Sequence, residues 1–290
     1  MADKKTILVT GANGQLGNEM KVVSATYTTT YNFLFVTKQD LPVDDINALK
    51  KYFEDHTIDY CVNCAAYTAV DKAETEPEKA LLVNSTAVGT LAAICKAHHT
   101  QLIHISTDYV FDGTAAVPYT EDHAVVPVNM YGATKLKGEE LAQQNNPGSI
   151  IIRTSWVYSS FGNNFVKTML RLMKEREQLN VVSDQQGCPT YAADLAGAIM
   201  QIITSNKAGE QAGIYNYCNS GVINWYQFAE AIKELSGSKC MVHPIPSSNY
   251  PTPAKRPAYS VMDTAKIQFS FNIVIPYWKH SLQKCLSLIG

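Results

Sequence analysis

The chain has no surplus of either charge. Its 290 residues carry 24 Lys and Arg against 26 Asp and Glu, a net charge of −2 with a pI near 6.4. No basic face therefore advertises nucleic acid or anionic lipid, and small molecules are the expected partners. There is also no apolar run of about 18 residues without a charge, the length a membrane-spanning helix needs. After MADKK the sequence enters an apolar strand at once, so neither export nor membrane insertion is expected. Seven cysteines, an odd number scattered through apparent strands and helices, do not make a disulfide framework; they predict reduced thiols in a cytoplasm. Cys61 and Cys64 form a CxxC, but in the run YCVNCAA a period of two sends them to opposite sheet faces, as core thiols rather than a metal or redox pair. His98, His99 and His104 have no acid or Cys partner at metal-ligand spacing, and His98 and His99 read as favourable charges at a helix C-terminus. No metal is expected. Repeats and low-complexity tracts are missing as well.

What the chain does have is an alternation of strands and helices, long enough for one large domain or a domain with a smaller lobe. Residues 6–10 form a short apolar run, GANGQLG follows, and Leu16, Met20 and Val23 then fall at helical spacing. Strand, glycine turn and helix suit a dinucleotide's pyrophosphate, because glycines allow close backbone approach and a helix N-terminus offers unpaired N–H groups. Gly11, Gly14 and Gly17 are spaced G-x-x-G-x-x-G, one residue off the strict fingerprint. Gly11, Gly14, Gln15, Leu16 and Gly17 are thus the candidate phosphate-binding set. The second strand, in NFLFVT, ends at Thr37 and Lys38. An NAD site would place an acid there for the ribose 2′-hydroxyl. The acid is missing and a cation is present, which favours NADPH and leaves NADH open, although Lys38 also reads as one more surface lysine. Asp40, Asp44 and Asp45 follow, where one could still reach the adenosine.

A helix at residues 44–56 leads to a strand at residues 60–65 and then to AAYTAVDKAE, whose small residues let a backbone loop lie against a flat ligand. Ala65, Ala66 and Tyr67 are assigned to the cofactor and Thr68 to the substrate. A helix over residues 78–98 and a strand over residues 101–107 complete four alternations, which predict a Rossmann-type α/β fold: a parallel sheet with helices on both faces. Ligands of such sheets bind beyond the carboxyl ends of the strands, where ISTDYVFDG places Ser106, Thr107 and Asp108. VNMYGATKLKGEE then reads as a loop running into a helix that carries Tyr131 and Lys135. Four residues is just over one turn, so phenol and ammonium emerge from one face. A tyrosine titrates near ~10, and the neighbouring cation is expected to pull that value down toward working pH, as a general acid or base needs. The spacing alone is common, an exposed lysine beside a half-buried tyrosine being the ordinary case. The glycine turn and the strand-end hydroxyls turn the reading toward catalysis.

GANGQLG, ISTDYVFDG and YGATK resemble the extended short-chain dehydrogenase/reductase superfamily. VNCAAYTAVDKAE, STDYVFDG, RTSWVY, DQQGCPTYAADLA and RPAYSVMDT resemble, over nearly the whole chain, its dTDP-4-dehydrorhamnose reductase family. The resemblance implies a seven-stranded sheet, with residues 1–160 binding NADP(H). Residues 161–290 would mainly form a smaller substrate-binding lobe, with segments returning to the sheet. It implies NADPH-dependent reduction of the C4 ketone of dTDP-4-dehydro-L-rhamnose to dTDP-L-rhamnose, for cell-surface polysaccharide. On the family pattern Thr107 is the catalytic hydroxyl, Tyr131 the proton donor, and Lys135 the residue that holds the nicotinamide ribose and keeps Tyr131 acidic. Asp108 and Trp156 match positions that contact sugar and nucleotide, a buried core tryptophan being the alternative for Trp156. Asp184, Gln185, Gly187, Pro189 and Thr190 resemble a turn beneath the substrate. Arg256 in RPAYS reads as a partner for a diphosphate, or as a surface arginine.

Two departures from the pattern matter. Some members hold magnesium at a dimer interface with acids beside the glycine turn and after the PT motif; here Gln15 and Ala193, with Asp194 adjacent, stand there, so a metal-free monomer or weak homodimer is expected. Pro42 in LPVDD replaces the usual acid after the second strand. Two rival readings are a non-catalytic regulatory subunit of the methionine adenosyltransferase β type, and another sugar-nucleotide reductase or epimerase. The first is opposed by the intact Thr107, Tyr131 and Lys135, and the second would differ in the substrate lobe.

Overall fold

A computed structural model describes residues 4–289. Its central sheet contains β1 (Lys5–Thr10), β2 (Tyr31–Val36), β3 (Tyr60–Asn63), β4 (Gln101–Thr107), β5 (Ile150–Thr154) and an edge strand, Gly213–Tyr217. All are parallel, in the order β2-β1-β3-β4-β5-edge. The strands read as apolar on both faces, as a sheet covered on both sides requires. One face carries Ile7, Val9, Val62 and Ile152 against α1 (Gln15–Ser24) and the helices Ala192–Thr204 and Ala265–Phe271. The other carries Leu8, Cys61, Leu102 and Ile151 against α2 (Ile46–Asp55) and the helices Ala87–Ala97 and Met130–Asn145.

The expected seventh strand is not among the described residues. After β2 the backbone folds back on itself, with Leu41 N–H donating to Thr37 O and Asp45 N–H to Pro42 O. The Asp45 carboxylate then caps α2 by accepting from Asn47 and Ala48 N–H. Turn and cap use up residues 37–45, and no extended segment is left to add beyond β2.

Because β2 lies on one side of β1 and β3 on the other, the strand order reverses at β1, and the carboxyl ends of β1 and β3 open a crevice there. The Pro77–Ala97 run is long and apolar enough to cross a membrane by length and composition. In this fold its Val88, Leu91, Ile94 and Cys95 are core residues of the second face. A second cluster forms the remaining lobe. The helices Phe165–Glu175, Trp225–Ser236 and Trp278–Ile289 and the parallel pair Gln178–Val182 and Met241–Ile245 close around Tyr158, Val166, Phe228, Ile232 and Leu282.

Candidate active site

A cleft of about 840 Å³ opens at the carboxyl ends of the strands, within the ~300–1,000 Å³ usual for ligand sites. Gly11, Gly14, Gln15, Leu16, Lys38, Ala65, Ala66, Tyr67, Thr68, Thr107, Asp108, Tyr131, Lys135 and Trp156 all line it. Gly11 takes φ +63°, and a Cβ there would come within 2.7 Å of Ala65 N, so the turn can lie on the loop after β3 only as glycine. Gly17 does not reach the cleft. It sits beneath the Gly11 carbonyl and Ala12, where it lets α1 pack on β1. The Gln15 amide accepts from Asn164 Nδ2 at 2.9 Å and donates to Val157 O at 3.4 Å, tying the glycine turn to the second lobe.

At the far end of the cleft, exposed Lys38 and half-buried Asp44 both line the wall. Asp40 is committed to its own turn, accepting from Thr37 N and Oγ1 at 2.9 and 2.7 Å. The loop after β3 is fixed by Asn84, which a widened helical turn at Leu82–Thr86 presents to it. Asn84 Oδ1 accepts from Tyr67 N at 2.8 Å, and its Nδ2 donates to Tyr67 O and to Thr134 Oγ1.

Asn129 caps the helix that carries Tyr131 and Lys135, accepting from Gly132 N at 2.8 Å. A side chain on Gly132 would come within 2.1 Å of Tyr109 O, so this glycine lets the helix rest on the turn after β4. Tyr131 then meets Tyr109 edge-on, with ring centroids 5.5 Å apart. Thr107 Oγ1 donates to Asp108 Oδ1 at 3.0 Å, and the buried Asp108 Oδ2 has no partner. Burial pushes the Asp108 carboxyl up to about 6, against the hydrogen bond from Thr107.

Lys135 is 1% exposed; its ammonium donates to Ile105 O at 2.6 Å and lies 3.5 Å from His104 Nε2. Burial pulls it down to about 8, against the opposing influence of Glu139 and Cys64. The acidified phenol expected at Tyr131 is not found. Desolvation in the cleft, opposed by a hydrogen bond with Thr107 and reinforced by the Asp108 charge, pushes Tyr131 up to about 12. The lysine one turn away gives one of its three donors to a backbone carbonyl.

Sequence reasoning missed the support beneath this pair. Glu139, one turn beyond Lys135, forms a fully buried ion pair with Arg153 of β5 at 2.7 Å and accepts a hydrogen bond from Ser106. Ser106, placed by the sequence at the ligand-binding end of its strand, therefore spends its hydroxyl on Glu139. The signals were an acid four residues after the lysine and an arginine inside the apolar run IIIRT. Trp156 takes φ +47° and stacks on Trp225 at 3.6 Å and 9°, both rings lining the cleft. Nothing in the local pattern of Trp225 marked it. Within the DQQGCPT turn, Gly187 lies against the Trp156 ring and the Thr190 hydroxyl accepts from Thr154 at 3.2 Å. Arg256 corrects another expectation. It does not line the cleft; its guanidinium forks onto Asp71, with Nη2 donating to Oδ2 at 2.7 Å, and also donates to Ala254 O. Asp71 belongs to the short helix Val70–Ala73 that follows β3. Among the described residues, no group of three or more His, Cys, Asp or Glu is placed to hold a metal ion.

Comparison with known proteins places these features in a family. The model of the RmlD substrate binding domain matches residues 5–289. A dTDP-4-dehydrorhamnose reductase of Sinorhizobium fredii is 40% identical over 285 residues, covering 96% of this chain and 95% of that protein. The crystal structure of a dTDP-4-dehydrorhamnose reductase from Clostridium acetobutylicum is 38% identical with a TM-score of 0.93, covering 98% of this chain and 99% of its own. One from Bacillus anthracis, solved in complex with NADP, is 34% identical with a TM-score of 0.93 over the same shares.

Proposed function

We propose, for a chain that belongs to the dTDP-4-dehydrorhamnose reductase family, that it reduces the C4 ketone of dTDP-4-dehydro-L-rhamnose to dTDP-L-rhamnose with NADPH. The observation that carries this reading is the meeting of Thr107, Tyr131 and Lys135 in one cleft with the glycine turn. In the proposed arrangement, Gly11, Gly14, Gln15 and Leu16 hold the diphosphate at the start of α1, and Ala65, Ala66 and Tyr67 flank the adenosine half. Lys38 takes the 2′-phosphate. When bound, NADPH supplies the hydride.

The proton comes from Tyr131. A phenol at about 12 is un-ionised throughout the neutral range, so the donor is always loaded. An alkoxide's conjugate acid is about as weak as water, ~15.7, so passing the phenol's proton to the developing alkoxide is downhill. Thr107 hydrogen-bonds the same oxygen, and Lys135 offsets the phenolate left behind while holding the nicotinamide ribose. Asp108 Oδ2, buried and unpartnered, accepts from a sugar hydroxyl, and Thr68, Trp156 and Trp225 border the sugar nucleotide.

Residues 1–160 serve as the cofactor domain in this reading, and residues 161–290 mainly as the substrate lobe. The protein is read as a cytoplasmic monomer or weak homodimer with no nucleic-acid or membrane partner, in keeping with its balanced charge. The relatives' names favour this reaction over a regulatory subunit or a different reductase or epimerase. The test is to incubate the protein with NADPH and either dTDP-4-dehydro-L-rhamnose or a GDP-4-keto sugar while following the absorbance of the reduced nicotinamide. Oxidation with the dTDP sugar alone is expected; oxidation with neither, or with the GDP sugar alone, would reject the reading.

A further inference from the structure

Thr10, Asn63 and His104 stand side by side on three neighbouring strands, Thr10 in register with Asn63 and Asn63 in register with His104. Strand alternation puts them on the face of Leu8, Cys61 and Leu102, the face that the Met130–Asn145 helix covers. None is more than 2% exposed. Thr10 Oγ1 lies 2.7 Å from Asn63 Oδ1, Asn63 Nδ2 lies 3.1 Å from His104 Nδ1, and His104 Nε2 lies 3.5 Å from Lys135 Nζ. An unbroken polar row therefore joins the residue before the glycine turn to the lysine of the site. Backbone pairing holds these strands without it, and an apolar row would be cheaper to bury.

We propose that the row positions Lys135, with His104 accepting a hydrogen bond from the ammonium through Nε2 while Asn63 and Thr10 hold the ring in the tautomer that can accept. An ammonium has three donors and no acceptor. Ile105 O takes one of them. For His104 to take another, Nε2 must be bare and Nδ1 protonated, which requires Asn63 to turn its oxygen toward the ring and its NH2 toward Thr10. The structure holds the opposite polarity, in which Thr10 donates to Asn63 Oδ1 and Asn63 Nδ2 donates to Nδ1. The proton then sits on Nε2 and points at the lysine, which suits only an uncharged amine. An amide has the same shape either way round, so the row offers one pattern for each charge state of Lys135. Passing from one to the other releases a single proton.

The other ionisable groups facing Lys135 are Glu139 from its own helix and Cys64 from the end of β3. Glu139 is already paired with Arg153, so His104 is the neutral acceptor that remains. Burial and the lysine's charge hold the ring neutral, well below the ordinary histidine value.

The inference rests on the proposed role of Lys135, and its test separates the two. In 15N-histidine NMR of the wild-type protein, one ring, identified by its loss in His104→Gln, should carry its proton on Nδ1 below about pH 8 and on Nε2 above it. His104→Gln keeps an acceptor and should retain kcat within about threefold. His104→Leu removes a hydrogen bond to a charged group, and should lower kcat at pH 7 about tenfold, leave KM for NADPH within about twofold, and move the alkaline limb down by about one unit. A ring protonated on Nε2 at pH 6.5 would overturn the proposal, as would a wild-type pH profile in His104→Leu or a His104→Gln variant as impaired as His104→Leu. If His104→Leu does not fold, the wild-type spectrum decides alone. An unchanged profile in His104→Leu alongside an inactive Tyr131→Phe would reject the row and leave the reading of the site intact.

Discussion

The pH dependence of turnover is where the geometry commits itself most. Lys135 is held at about 8 and Asp108 at about 6, whereas Tyr131 at about 12 contributes nothing in the accessible range. In the proposed mechanism Asp108 makes its charge-assisted hydrogen bond to the sugar only while ionised, so that contribution is lost as pH falls through about 6. In the same mechanism Lys135 offsets the phenolate only while charged, so its contribution is lost as pH rises through about 8. At pH 7 each group is about nine-tenths in its working form, and at pH 9 only about a tenth of Lys135 is charged. A bell-shaped kcat/KM is expected, lower by about tenfold at pH 9 than at its maximum. Lys135→Arg separates this from other causes. A guanidinium stays charged to above ~12, so the variant should be slower throughout, because a planar fork does not fit where a point charge meets Ile105 O at 2.6 Å, yet lose the alkaline limb. Asp108→Asn should lose the acid limb alone. Initial rates with saturating NADPH and varied sugar nucleotide, buffered from pH 5 to pH 10, measure both. An alkaline limb near 8 that survives in Lys135→Arg would show that another group titrates there, and the assignment of Lys135 would fall.

Tyr131→Phe removes the proton donor and no packing volume; kcat should fall by about 10² to 10⁴, with NADP(H) affinity by calorimetry within about twofold, and a turnover loss of only a few fold would mean another acid serves. Glu139→Ala strands the buried Arg153 guanidinium and should cost about 3–5 kcal/mol, seen as a melting temperature lower by roughly 8 °C; the double change Glu139→Met with Arg153→Met should recover most of it, and an equally unstable double variant would locate the loss in packing instead. Lys38→Ala removes one exposed charge worth about 1 kcal/mol, so KM for NADPH should rise about fivefold while that for NADH stays put, and an equal rise for both would reject the 2′-phosphate contact.

What could be read from the sequence was what neighbouring residues decide among themselves. Strand, glycine turn and helix are local, and so is the one-turn spacing of Tyr131 and Lys135; both were legible, as was the Rossmann-type sheet. The acidity of Tyr131 was not, because helical spacing fixes which groups are near but not how much water reaches them, and desolvation outweighs the hydrogen bond with Thr107. The strand count failed for a similar reason: residues 37–45 are short and polar enough for a turn and a cap, and the choice is settled by Asp45 reaching α2. Arg256 meets a carboxylate 185 positions away, a partner no local pattern announces. Trp225 is the first residue of a helix capped by Asn224, and only the folded chain stacks it on Trp156.

Some of what was missed follows a rule that is legible in retrospect. Each inner strand has an apolar middle and turns polar toward its carboxyl end: Thr10 closes β1, Asn63 closes β3, His104 and Ser106 interrupt β4, and Arg153 interrupts β5. Ser106 and Arg153 are register partners, as are Thr10 with Asn63 and Asn63 with His104, so these breaks form two continuous patches. Both patches lead to the helix that carries Tyr131, one to Lys135 and one to Glu139. Their burial is unfavourable in itself. The fall of Lys135 from 10.5 to about 8 corresponds to about 3 kcal/mol against its charged form. That stability is missing below pH 8 and recovered as pH rises from about 8 to about 10.5, the window in which only the unfolded chain keeps the proton. A sheet left apolar to its ends would fold more stably and could hold no charge against a bound dinucleotide, so the cost falls on the strand ends where the chemistry is done.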